Sequence, residues 1–171
     1  MGLLRQLYLE DLLDVTLNAS IPADLRRVAE DAVINRIPAL ALGERVSMAR
    51  RCTGRVAGVL LLDREIRVVD TALSNGRLTE ELVVKALSME AIAVDAVEKI
   101  AGHARWSLAY GVRLALLRQP LTSLGRVLGL APLVKRNDLV EITGDPRMPV
   151  ERRLYLIRLA KQGRRKSPIA I

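Results

Sequence analysis

Phenylalanine is absent from this chain of 171 residues, and only four aromatic side chains stand in it: Tyr8, Trp106, Tyr110 and Tyr155. That shortage disfavours a β-sandwich or barrel, because strands draw on aromatic and β-branched residues together. One cysteine, Cys52, excludes an internal disulfide and an all-cysteine metal cluster, and one histidine, His103, excludes His-pair metal sites. Long apolar runs are missing too. The longest stretch of apolar residues and glycine, Val56 to Leu62, is far short of the roughly 20 residues of a membrane-spanning helix. The opening Met1-Gly2-Leu3-Leu4-Arg5-Gln6 carries no export pattern, and Gln6 stands where myristoylation needs Ser or Thr. A cytoplasmic, reducing compartment without a membrane span is the expectation.

What is present is aliphatic and basic. Half of the residues are hydrophobic, enough to offset the ordering entropy of a folded domain, so disorder is excluded. The length fits one domain over residues 1–171. The net charge of +8 is one-sided: residues 1–90 hold 12 basic and 13 acidic side chains, whereas residues 91–171 hold 15 and 6. A field of that kind attracts anionic partners such as nucleic acid, acidic proteins or lipid headgroups; solvated outer faces of helices are the simpler account of it.

Read for period, the chain gives helices throughout. Leu3 to Leu17 has apolar residues at 4, 8, 9, 12, 13 and 15 with acids at 10, 11 and 14. Ser20 and Pro22 start a second helix to about Asn35, Pro38 opens the next segment, and a third helix spans Leu42 to Cys52. Thr53 caps a short helix through Leu62. Asp63-Arg64-Glu65 begins another, which Asn75-Gly76 should stop by supplying a left-handed residue. Thr79-Glu80-Glu81 restarts the chain with a hydroxyl cap and two acids. Further helices are expected at Glu90–Ala101, Trp106–Arg118, after a Thr122 or Ser123 cap, from an Asn137 cap to Gly144, and from Pro149 to Gln162.

The punctuation between these helices repeats. Asn75-Gly76-Arg77-Leu78-Thr79, Gln119-Pro120-Leu121-Thr122-Ser123 and Asp145-Pro146-Arg147-Met148-Pro149 share one layout: a polar residue, then Gly or Pro, two residues, and a cap or Pro that opens a helix. Units near 40–47 residues built of antiparallel helices mark HEAT-type solenoids, and the unequal spacing here fits degenerate units. The fold expected is an all-α, right-handed α-solenoid of short HEAT-like repeats. Residues 3–35 would cap it, 36–162 form the repeats, and 163–171 form a basic tail.

Gly102-His103-Ala104-Arg105-Trp106-Ser107, with Tyr110 to Pro120 after it, resembles a group of bacterial HEAT-like repeat proteins, mostly uncharacterised. The stretches Val69–Thr79 and Asn137–Pro149 extend that resemblance, which covers about residues 54–160. The Val-Arg-x-Ala unit is also similar to leucine-rich-repeat-variant modules. Ala104, Gln119 and Ser123 stand where the group has Pro, Asn and Pro. The resemblance implies an α-solenoid used for interaction, and it carries no catalytic residues.

Residue by residue, the chemistry is sparse. His103 lacks an orienting carboxylate and a nucleophile motif, so it reads as a turn histidine bonded to backbone and packed on Trp106, itself a packing anchor. Glu80 and Glu81 suit a helix N-terminus, and Asp95 with Lys99 has ion-pair spacing beside Glu98. Cys52, near Arg45, Arg50, Arg51 and Arg55, reads either as a thiol made reactive by cations or as a small buried residue. The basic residues are the best site candidates. Arg158, Lys161 and Arg165 share a helix face within about 60°, Arg164 and Lys166 extend it, and Lys135, Arg136 and Arg147 lie in turns that a solenoid would align with Arg77. No cofactor is expected. The leading function is a non-enzymatic interaction module that binds a protein partner through a groove or its basic C-terminal edge. The alternative is sequence-nonspecific binding of a phosphate backbone, without base stacking because aromatics are scarce. A third reading, an enzyme like helical-repeat DNA glycosylases, needs an acid and an aromatic lining a basic groove.

Overall fold

The computed structural model describes residues 8–146 and 148–162. Among them are eleven α-helices and no strand. In order they are α1 (Leu9–Leu17), α2 (Ala23–Arg36), α3 (Leu42–Arg51), α4 (Gly54–Leu60), α5 (Ile66–Leu73), α6 (Glu80–Leu87), α7 (Val94–Gly102), α8 (Tyr110–Arg118), α9 (Leu124–Leu130), α10 (Arg136–Thr143) and α11 (Val150–Gln162). Short 3-10 turns occupy Ile37–Ala39, Trp106–Leu108 and Ala131–Leu133. The all-α expectation is met. No described helix is long and apolar enough to cross a membrane.

The chain divides into two compact units, Met1–Ala96 and Val97–Ile171. In the first, α1 pairs with α2, and each later helix packs on the second one along: α2 on α4, α3 on α5, α4 on α6. Leu12, Leu13, Met48, Leu60, Val69 and Leu73 are closed off from water in this unit. Burying each leucine contributes about 1.5–3 kcal/mol. In the second unit α8 packs on α9 and α10, and α11 packs on α10 and on the 3-10 turn that continues α9. Its core is built from Ile100, Trp106, Leu116, Leu117, Val127 and Leu156.

The recurring turn has a local cause. After α5, the Asn75 side-chain oxygen accepts the Arg77 N–H at 2.8 Å while the Asn75 carbonyl accepts the Leu78 N–H at 3.1 Å. Gln119 does the same after α8, with Leu121 N–H at 3.2 Å and Thr122 N–H at 3.1 Å. Asn18, Asp63 and His103 likewise accept the N–H two residues on. Such side-chain mimicry of a backbone turn explains why a polar residue leads the punctuators at Asn75 and Gln119. Gln119 makes this bond although its side chain is one methylene longer than that of Asn75. The fourth residue then plugs the core: Leu78, Thr122 and Met148 are all buried.

Several local expectations are corrected. No described residue has a positive φ, so Asn75-Gly76 ends α5 by hydrogen bonding and not by a left-handed residue. Trp106–Arg118 is no single helix: Ala109 is extended, and Arg113 takes the freed carbonyls of Ser107 at 2.9 Å and Leu108 at 2.5 Å. Asn137 does not cap α10, which starts two residues earlier with Lys135 at the cap position. Thr79 and Ser123 make no side-chain cap bonds, whereas Thr53 does accept the Val56 N–H. Residues 3–7 of the expected first helix, and the basic tail at 163–171, lie outside the described residues.

Candidate interaction surface

The basic residues of the second unit fall into two groups. Arg152 is the extreme member of the first. It is in phase with Leu156 and Ala160 on the inward face of α11 and is only 5% exposed. Nη1 donates to the carbonyls of Leu117 (3.4 Å) and Gln119 (2.6 Å), and Nη2 donates to those of Pro120 (3.1 Å) and Thr122 (2.6 Å). These carbonyls belong to the end of α8 and the turn after it, where helix geometry leaves acceptors unpaired. Burial pulls the Arg152 guanidinium below its ordinary pKa, yet a guanidinium starts so high that it keeps its charge at neutral pH.

Other arginines are also engaged. Arg118 pairs with Glu141 at 2.7 Å, Arg126 with Glu98 at 3.1 Å, and Arg153 holds the Asp145 carbonyl at 2.8 Å. Arg105 lies over the buried Trp106 ring at 4.1 Å, a cation–π contact. Besides pairing with Arg126, Glu98 accepts the Ser123 N–H at 3.2 Å where α9 begins. Hydrogen bonding from Ser123, with Arg126 adding, holds its carboxyl below the usual carboxylate range against the opposing effect of burial.

The second group contains the predicted site residues. Lys135 and Arg136 are exposed at the start of α10. Lys135 donates its N–H to the Tyr110 hydroxyl at 3.0 Å and places Nζ 5.6 Å from that ring; the Tyr110 hydroxyl donates in turn to Asp138. Burial first, and then the bond to Asp138, raises the Tyr110 pKa. Arg158 and Lys161 are exposed on α11 and line a shallow depression of about 410 Å³ with Leu154, Ile157 and Gln162. Arg136, Arg158 and Lys161 have no hydrogen-bond or ion-pair partner among the described residues. Arg77 is exposed in the first unit, its N–H held by Asn75. Arg147, Arg164, Arg165 and Lys166 lie outside the described residues.

The remaining chemistry is structural in placement. His103 accepts the Arg105 N–H through Nδ1 at 3.2 Å, with its ring 6.3 Å from Trp106. Trp106 is 2% exposed, so it lines no groove. Cys52 is buried, and burial pushes its thiol up to about 12, the opposite of a reactive cysteine. Asn75 Nδ2 reaches back to the carbonyls of Ala49 at 2.9 Å and Cys52 at 3.1 Å, closing the end of α3. Among the described residues no three His, Cys, Asp or Glu side chains converge as a metal site.

Arg152 is a residue that sequence patterning does not single out, and for Asn75 patterning marks the turn but not its bonds back to the end of α3. The signal for Arg152 is its place in a row with Leu156 and Ala160 at four-residue steps, which marks an inward position. Compared with family models, curated proteins and solved structures, the chain gives no match.

Proposed function

We propose that this chain is a non-enzymatic interaction module, a right-handed α-solenoid of short HEAT-like repeats that takes a protein partner through its groove or its basic C-terminal edge. Two packing features support the solenoid. Helices in each unit contact the second helix along, as stacked helical pairs do, and the turns reuse one hydrogen-bonding scheme. The observation that carries the interaction reading is exposed apolar surface. Among the described residues, eight of the twelve large apolar side chains exposed to solvent lie in the second unit, among them Leu124, Leu128, Leu133, Val140 and Leu154. Exposed apolar side chains and cations without a partner among the described residues are the chemistry that a protein-binding face uses.

A phosphate-backbone binder is the second reading, favoured by unpartnered Arg136, Arg158 and Lys161. Capture on the immobilised full chain, with and without nuclease, separates the two. A protein retained in the same amount after nuclease is the expected result. Recovery that disappears with nuclease, or an affinity for duplex DNA that falls steeply with salt, would support the second reading instead.

A further inference from the structure

On α11 the inward positions are Arg152, Leu156 and Ala160. Turning about 100° per residue, Val150, Leu154, Ile157, Arg158 and Lys161 fall on one outward stripe about 100° wide. Val150 and Leu154 are 67% and 61% exposed, Ile157 is half-buried at the floor of the depression, and the two cations stand at the C-terminal end of the stripe. Neither cation has a partner among the described residues. The exposed Glu151 lies beside the stripe at its opposite end. Complementing the helix dipole accounts for a cation in the last turn. It does not account for two exposed aliphatic side chains in line with it.

We infer that this outward face of α11 docks an amphipathic helix whose polar positions near Arg158 and Lys161 are Asp or Glu. The inference rests on the interaction-module reading and gives it a site and a partner chemistry. Charge complementarity selects an acidic occupant, since the stripe is apolar at one end and carries two unneutralised cations at the other. An apolar pair four residues apart on the incoming helix meets Val150 and Leu154, as in helix-in-groove recognition. A nucleic-acid backbone would leave Val150 and Leu154 facing phosphates, with no exposed aromatic beside them to stack on a base.

The probe is a fluorescein-labelled helical peptide of about 20 residues, long enough to hold a helix, with Leu at i, i+4 and i+7 flanked by Glu. A twin carries Lys in place of every Glu. Anisotropy with the full chain should show binding of the acidic peptide only, weakened by added salt. Arg158→Glu with Lys161→Glu, and separately Leu154→Ser, should each weaken it by about tenfold or more. All three residues are exposed, so unchanged circular-dichroism melts check that these variants fold. Equal binding of the two peptides, or no loss with either variant, overturns the inference. Binding of labelled duplex DNA that depends on Arg158 and Lys161, without binding of the acidic peptide, also overturns it. So does a dimer in sedimentation that Leu154→Ser dissolves, because the occupant is then a second copy. Lysate capture with wild type and the double variant separates this inference from the reading beneath it. If both retain the same protein, the α11 site falls and the module stands; if neither retains any, both fall.

Discussion

Helix α4 of the first unit and helix α9 of the second each carry two glycines four residues apart, Gly54 with Gly58 and Gly125 with Gly129. In α4 they form a seat. A Cβ at Gly54 would run into the Arg77 carbonyl and come within 3.2 Å of Leu82, and one at Gly58 would lie 3.3 Å from the Leu82 Cβ. The turn before α6 therefore approaches Gly54 more closely than a Cβ permits, and α6 itself sits tightly on both glycines. In α9 the same spacing faces open space, with nothing within 4 Å of either position, and Leu124 and Leu128 beside it are exposed. Identical spacing marks a filled contact in one unit and an uncovered face in the other. Glycine spacing permits close approach; a neighbouring helix has to use it.

The units also differ in how they close a helix end from within the core. Asn75 seals the last carbonyls of α3 with a neutral amide, and Arg152 seals those after α8 with a buried charge. A guanidinium spreads its donors over a wider fan, which lets one side chain reach four carbonyls. Its cost is desolvation, repaid only while every acceptor is in place.

Substitutions that break this contrast are ranked by expected effect. Arg152→Met keeps much of the volume but orphans the carbonyls of Leu117, Pro120 and Thr122, that of Gln119 keeping the Thr122 N–H, so the second unit should lose about 3 kcal/mol or more. Asn75→Ala orphans two carbonyls and one N–H, and the first unit should lose about 2 kcal/mol. Both are read from urea denaturation midpoints; a smaller loss for Arg152→Met than for Asn75→Ala would show that desolvation cancels its hydrogen bonds. Gly54→Ala should destabilise by about 1–3 kcal/mol through overpacking against Arg77 and Leu82. Gly125→Ala should instead stabilise by up to about 1 kcal/mol, because α9 gains helix propensity with no neighbour to displace. Opposite shifts in thermal midpoint are the test, and shifts of the same sign would mean that α9 is covered in solution.

The smallest effect concerns Glu98. Its folded pKa lies below the unfolded value, so its contribution to stability is complete above the unfolded pKa near 4.3 and is lost as pH falls through the lower folded value. Glu98→Gln should lower the midpoint slightly at neutral pH and flatten the acid limb of the stability curve. An unchanged acid limb would remove Glu98 from the pH dependence.

Much of the helical ladder was legible because its signals are local. Pro22 before α2, Thr53 at the start of α4 and Pro149 before α11 act through the first turn of their own helices. The start of α10 was not legible from Asn137. Lys135 takes the cap position with its N–H on the Tyr110 hydroxyl, and Asp138, three residues into the helix, accepts from that same hydroxyl. A contact with α8 thus fixed where α10 begins. The break at Ala109 is similar, with Arg113 gathering the Ser107 and Leu108 carbonyls. Of the predicted site residues, Lys135, Arg136, Arg158 and Lys161 are exposed, and the turn expected at Lys135 and Arg136 is instead the cap and first residue of α10.

By itself the sequence determined the helical class, most helix starts and the repeated turn, because each depends on hydrogen bonds spanning two to four residues and on the absence of strand-forming aromatics. The fates of the arginines were decided only by the tertiary structure. Arg152 and Arg158 stand six residues apart on one helix with the same guanidinium. The first is held because the end of α8 and the turn after it, thirty or more residues earlier, bring four carbonyls within reach. No such acceptor faces the second among the described residues, and it remains available to a partner.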